Sequence, residues 1–274
     1  MNRATVLIRD DPIHRKQSFV DGLKRHGYEI KDDPVRRPRP GDVLVIWTRH
    51  RGRYGDAANA YERHGAKVVV VENGYLNKYP FRRRDYAIAL DDHNGAGRWY
   101  YGGPERWAKI EAGGVEIKPW RQGENIVVRE QRGIGSSLMA SPPNWHSDTI
   151  KALTGMTGLP VILQAHPGRI SDGVDDTGSL ANAHTLVTWG SSLAVRATVL
   201  GVPVVYCAPY SIIEGATLGR GLEKVANKNA NYKLPDRLPA LRRMAWAMWT
   251  PQEIEAGEPF DQLLRMRPKW MKPK

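Results

Sequence analysis

Three short stretches of this chain carry residue types suited to holding an anion. Residues 131–137, QRGIGSS, combine two glycines with Arg132, so backbone N–H groups can come close to a phosphate. His166 stands directly before Pro167, and Ser191 and Ser192 lie in a small-residue turn that opens the apolar segment 193–200. An arginine, an imidazole, paired hydroxyls and a helix start would together suit a nucleoside diphosphate. A second group of residues suits proton chemistry. Asp91, Asp92 and His93 follow the apolar run 86–90, Glu72 follows KVVVV at 67–71, and Asp10 and Asp11 follow the run 4–8. A carboxylate at a strand end could take the proton of an attacking hydroxyl. Asp91 and Asp92 are the first choice, Glu72 the second, and Asp10 and Asp11 the third. The adjacent pairs Asp91-Asp92 and Asp175-Asp176 chelate less well than a DxD spacing, so no metal site is expected. The single cysteine, Cys207, has apolar neighbours and excludes an intrachain disulfide and a cysteine-based zinc site.

The elements that must position these residues alternate about every 10–15 residues, the rhythm of a parallel α/β sheet. Strands are expected at 4–8, 28–30, 42–47, 67–71 and 86–90, with helices ending near Gly27 and Gly65. No GxGxxG follows the first strand, so no dinucleotide site is read there. Residues 102–118 read as a short helix and a strand-like GVEIKPW, and 119–123 as a linker. The pattern then restarts with strands at 125–129, 161–164 and 186–189, a helix at 145–156, a helix stop at Gly201 and a strand after Pro203. The anion-suited turns therefore follow three strands of the second unit, at the edge where open parallel sheets bind ligands. Helical segments at 238–249 and 251–264 complete the chain. The expected fold is α/β, with two Rossmann-like lobes facing a central cleft. Residues 1–120 would form the first lobe and 121–250 the second, with the C-terminal helix and basic tail 251–274 returning to the first.

The order of motifs in the second unit resembles the nucleotide-sugar lobe of GT-B glycosyltransferases. It is most similar to the branch with capsule Kdo transferases and phage-encoded transferases. The matching residues are His166-Pro167, Ser191-Ser192-Leu193 and Gly201-Val202-Pro203-Val204. The first unit matches only in its α/β pattern. The resemblance implies a nucleotide-sugar donor, a UDP-sugar first, and no tightly bound cofactor. It implies that His166 contacts the donor phosphate and that Ser191 and Ser192 hold the diphosphate. Gln131, Arg132, Gly133, Gly135 and Ser136 would line the same pocket. The catalytic base would come from the first lobe, and displacement would need no metal. Many such helices carry a glutamate a few residues after the serines, for the donor ribose. Arg196 stands there in this chain, where it would meet phosphate or pair with an acid such as Glu214.

Charge points to the acceptor. The net charge is +12, of which residues 1–120 carry +7, 121–264 none and 265–274 the remaining +5. Arginine clusters at 36–39, at Arg49, Arg51 and Arg53, and at Arg82, Arg83 and Arg84 fall on expected loops near Tyr54, Tyr79 and Trp99. Arginines with aromatics suit a phosphate backbone and a displaced base. Phage DNA glycosyltransferases are basic enzymes of this shape. The expected acceptor is accordingly a 5-hydroxymethylated pyrimidine in DNA, with these arginines and His93 on the nucleic acid. Two alternatives stand: a surface-polysaccharide transferase with an anionic glycan acceptor, and a non-catalytic nucleic-acid-binding protein, which Arg196 keeps open. No apolar run approaches the roughly 18 residues of a membrane span, and the first residues do not read as a signal peptide. A monomer in the cytoplasm, the host's if phage-encoded, is expected.

Overall fold

The computed structural model describes residues 1–47, 49–50, 52–166, 177–225 and 233–267. Arg51, Pro167, the Asp175-Asp176 pair and the tail 268–274 lie outside the described residues. The protein is a mixed α/β chain with two sheets built mainly of parallel strands. The first has the order β2-β1-β3-β4-β5-β11. Its centre is β1 (Arg3–Leu7), β3 (Val43–Trp47) and β4 (Lys67–Asn73), whose aliphatic runs are buried on both faces, as parallel strands between helices require. At one edge lies β2 (Glu29–Lys31), which is short and no more than half-buried. Helix α1 (Lys16–Arg25) buries Phe19, Val20 and Leu23, and α2 (Arg53–Arg63) buries Ala58 and Tyr61.

The other side of this sheet departs from the all-parallel expectation. β5 (Tyr86–Leu90) runs antiparallel to β4, with Val69 opposite Leu90 and Asn73 opposite Tyr86. β11 (Met248–Trp249) pairs antiparallel with β5. An apolar run such as YAIAL is buried equally well in either direction, so its residue types do not set its polarity.

The second sheet is parallel throughout, with the order β7-β6-β8-β9-β10. Its strands are β6 (Asn125–Arg129), β7 (Val161–Gln164), β8 (Ala183–Thr188), β9 (Val204–Tyr206) and β10 (Gly219–Arg220). Helix α4 (Trp145–Met156) links β6 to β7, and α5 (Leu193–Val199) links β8 to β9. From β6 the chain moves outward to β7, then crosses back to β8 on the other side. The carboxyl ends of β6 and β8 thus bound the switch point, where a crevice opens. Gly201 ends α5 at φ 81°, and a side chain there would strike Pro119 O. The segment crossing between the sheets is consequently fixed: Lys118 N donates to Val199 O at 2.8 Å and Arg121 N to Gly201 O at 2.9 Å. The strand expected within 114–120 does not form, and Lys118 and Arg121 make these contacts instead.

After the second sheet the chain returns earlier than residue 251. Helix α6 (Leu238–Ala245) packs on α3 (Glu105–Ala112), and β11 joins the first sheet, so 238–249 are not one helix. Arg106 of α3 pins the return. Its guanidinium donates to both Glu253 oxygens at 2.9 and 3.1 Å and lies 3.6 Å from the centre of the Trp249 ring. Helices α7 (Pro251–Glu255) and α8 (Glu258–Leu263) are separated at Gly257, φ 88°. They lie on α1 at Gly22, where a Cβ would fall 2.8 Å from the Phe260 ring. Among the described residues no helix is long and apolar enough to cross a membrane.

Candidate active site

The loop after β6 and the turn after β8 are tied to each other. Trp189 Nε1 donates to Met139 O at 2.9 Å. In the first loop, Gly133 N donates to Ser141 Oγ at 3.2 Å, and Met139 N and Ala140 N close back on Ser136 O at 3.0 and 2.8 Å. Gly133 and Gly135 take φ of 64° and 137°, values open to glycine. Gln131 Nε2 turns to Glu130 O at 2.9 Å, while Arg132 is exposed. In the second turn, Ser191 N donates to Thr188 Oγ1 at 3.1 Å, and Ser191 Oγ accepts from Leu193 N at 3.2 Å. Ser191 and Ser192 are half-buried. Helix α5 has only 7 residues, so the dipole expected behind the serines is short.

His166, just past β7, donates its backbone N–H to Glu130 Oε2 at 2.6 Å. Burial, with Arg129, Arg132 and Lys78 nearby, pushes its imidazole down to about 4, against the pull of Glu130. It is therefore neutral at pH 7. Arg196 is buried to 1% exposure, and its Nη1 donates to Tyr79 O at 3.1 Å. It thus reaches the β4–β5 connection of the first half. Glu214, the acid suggested for it, is exposed and lies beside Tyr206, where it helps burial raise the phenol to about 12.

The carboxylates reach this region by an unexpected route. Because β5 is antiparallel, Asp91 leaves the first sheet at the edge opposite the carboxyl ends of β3 and β4. The turn 91–97 then folds back, with Leu90 bridged to Arg98 and Asp91 at φ 72°. It carries Asp92, His93 and Asn94 onto the loops of the second half. A Cβ on Gly135 would lie 3.3 Å from His93 Cε1, and one on Gly190 3.0 Å from Asn94 Nδ2. Asn94 Nδ2 also donates to Gly190 O. The room left by these glycines is thus taken by the first half of the chain.

Asp92 is 5% exposed and His93 7%. His93 donates to Asp92 Oδ1 twice, through Nδ1 and through its backbone N, each at 2.9 Å. Burial alone would raise the Asp92 pKa. The bonds from His93 and the adjacent Ser136 hydroxyl outweigh it and hold the carboxyl below the usual range. Ser136 Oγ is itself buried without a hydrogen bond of strict geometry, so His93 is the firmer partner. Glu72 lies behind, accepting from Tyr75 OH at 2.7 Å and from Asn94 N at 3.2 Å. Asp91 is instead paired to Arg98 Nε at 2.5 Å. Asp11 is held by His14 at 2.7 Å, against the Trp47 ring, and Asp10 is exposed.

A cavity of about 650 Å³ opens beside Asp92. Its wall includes Arg49, Asn59, Lys67, Asp91, Asp92 and Arg98 from the first half and Ser136, Ser137 and Leu138 from the second. Arg49 does not project as a free cation. It forks onto Glu62 at 2.6 and 2.7 Å, reaches Asn59 at 2.8 Å, and holds Asp91 O. Arg83 is likewise paired to Asp85 at 2.6 Å. Arg53 makes an exposed contact with Asp33 at 3.3 Å, Arg82 lies 5.5 Å from the centre of the Tyr79 ring, and Arg84 is exposed. Thus Asp92, His93, Gly135, Ser136 and Glu72 come together, whereas Arg53 and Arg82–Arg84 lie apart from the cavity wall. Asn94, Lys67 and Arg98 are site residues that residue type alone did not single out. The Asn94-Gly95 pair is a turn signal and was their one local mark. Among the described residues, no group of His, Cys, Asp and Glu could hold a metal ion.

No family model matches the chain, and no curated protein matches it. Two solved structures from Thermosulfurimonas dismutans are similar to it. KpsC, beta Kdo 2,7 transferase, has a TM-score of 0.55 at 12% identity, covering 89% of this chain and 90% of that one. KpsC, beta Kdo 2,4 transferase, has a TM-score of 0.58 at 12% identity over the same shares. At this identity the likeness is one of fold, and it extends along nearly the whole of both chains.

Proposed function

We propose that the protein is a glycosyltransferase whose halves work as the two lobes of a GT-B enzyme. The second half would hold a nucleotide sugar on 131–136, His166, Ser191 and Ser192. The first would bring an acceptor hydroxyl into the cavity. Asp92 takes the hydroxyl proton as the oxygen bonds to the anomeric carbon, and the sugar–phosphate bond breaks with its electron pair leaving on the nucleotide phosphate. The observation that carries this reading is the position of Asp92: ionised, on the cavity wall, beside Ser136 of the glycine-rich loop.

A surface-glycan acceptor fits better than DNA. The similar structures are named as Kdo transferases, and Arg49 and Arg83, assigned to DNA from charge, are tied to Glu62 and Asp85. The exposed Arg53, Arg82 and Arg84 are what favours the DNA reading. The test is a panel of CMP-, UDP- and GDP-sugars offered with an acidic oligosaccharide and, separately, with hydroxymethylcytosine duplex. Transfer to the oligosaccharide supports the first reading and transfer to the duplex the second. Absence of transfer from every donor contradicts both.

A further inference from the structure

Behind Asp92 the first half holds a line of buried groups that the proposed chemistry leaves unused. Asp92 lines the cavity, whereas His93 and Glu72 instead face a small void together with Tyr75, Asn94 and Ile212. A substrate in the cavity therefore meets the carboxylate and not the imidazole. His93 is fixed on one side by its two bonds to Asp92 Oδ1. Glu72 is fixed by Tyr75 OH and by Asn94 N. The three groups come from two pieces of chain, Glu72 from β4 and the other two from the turn, and Gly135 closes the assembly from the second half.

We propose that His93 and Glu72 form a relay behind Asp92, in which a protonated His93 is a positioning residue and Glu72 secures its charge. This rests on the reading of Asp92 as the cavity's working carboxylate. An imidazolium bonded to one carboxylate and facing a second costs far less to bury than one alone. The charged groups around it are few. Asp92 lies on its own turn, Glu72 on β4 with the neutral Tyr75 beyond, and Arg49 acts on the far side of Asp92. The second half presents Gly135, Ser136 and Ile212, none of them ionisable. Burial by itself would lower the His93 pKa, but the Asp92 bond, then Glu72, raise it above its ordinary 6.5.

The relay predicts a pH profile that a merely structural role would not produce. Asp92 must be ionised and His93 charged, so activity spans the range between their two pKa values. Glu72→Gln takes away the second negative charge. His93 then loses its proton at lower pH, whereas Asp92 titrates where His93 is charged in both proteins and is not raised by the loss of a neighbouring anion. The alkaline limb of kcat/KM therefore moves to lower pH while the acid limb does not move inward, and kcat at the optimum falls about 10-fold or more.

The direct measurement is an NMR titration of the His93 ring in the intact protein without substrate. The wild type is expected to titrate above 6.5, and both Glu72→Gln and Asp92→Asn to lower that midpoint. Two variants are used because either one could fail to fold, which a thermal melt reports. A wild-type midpoint at or below 6.5, or one that neither substitution moves, overturns the relay. If the titration behaves as expected and no donor is ever turned over, the glycosyltransferase reading fails and the relay stands.

Discussion

His166 is a half-buried ionisable group and Asp92 a buried one, and in each the neighbours decide which form is held. Positive neighbours and burial keep His166 neutral, down to about 4. Its unfolded value is near the ordinary 6.5. The unfolded chain therefore binds the extra proton first, and His166 costs stability as pH falls from 6.5 to about 4. In His166→Asn that contribution disappears. Melting temperatures of the two proteins should diverge across this window and run parallel above pH 7. Parallel curves throughout would show that the environment of His166 is not the one described. At this scale the sequence was partly legible. The rule that ligand residues follow strand ends pointed to Asp92, His93, Gly135 and Ser136, which do meet. It had no means of showing that Arg49 would be spent on Glu62, because an ion pair across 13 residues depends on how α2 folds back.

The glycines of the loops after β6 and β8 act at the scale of elements. Gly135 has φ 137°, and a Cβ there would press on Met139, Ala140 and His93 at 3.3 Å. Gly135→Ala should cost about 1–3 kcal/mol from backbone strain alone. It should also loosen the seat of the turn 91–97, so that kcat falls more than the stability loss explains. Chemical denaturation and steady-state kinetics on the same preparation separate the two effects. The strands of the second sheet at 125–129 and 161–164 and the helix at 145–156 were readable residue for residue, since their patterns are bounded by glycine, proline and a polar turn. The direction of β5 was not readable. A run of 5 buried residues carries no mark of polarity, and only pairing with β4 decides it. The spacing of Leu241, Met244, Ala245 and Met248 continued a helical period past the point where the chain leaves the helix. There, pairing of β11 with β5 overrides the local period.

At the scale of the molecule, the two halves are held by contacts that the chain makes on crossing and on returning. The crossing at 118–121 is bound to the end of α5, and the return is bound through Arg106. Arg106 has a side-chain exposure of 10% and Glu253 of 16%. Removing Arg106 leaves Glu253 with Lys109 at 3.6 Å and the bonds from Thr250, so the loss is on the order of 2 kcal/mol rather than that of a fully stranded charge. Arg106→Ala should therefore lower the melting temperature by several degrees, and Arg106→Lys, which keeps charge but not the fork or the ring stacking, should recover only part of it. Full recovery by lysine would show that charge alone holds the return.

The central proposal is that Asp92 acts on a substrate beside a donor held by the second half. The most direct test is single-turnover transfer of labelled sugar, measured together with nucleotide binding, in the wild type and in Asp92→Asn. The variant should bind the nucleotide within about 2-fold of the wild type while transfer falls at least about 100-fold. A variant that transfers sugar at the wild-type rate would contradict it.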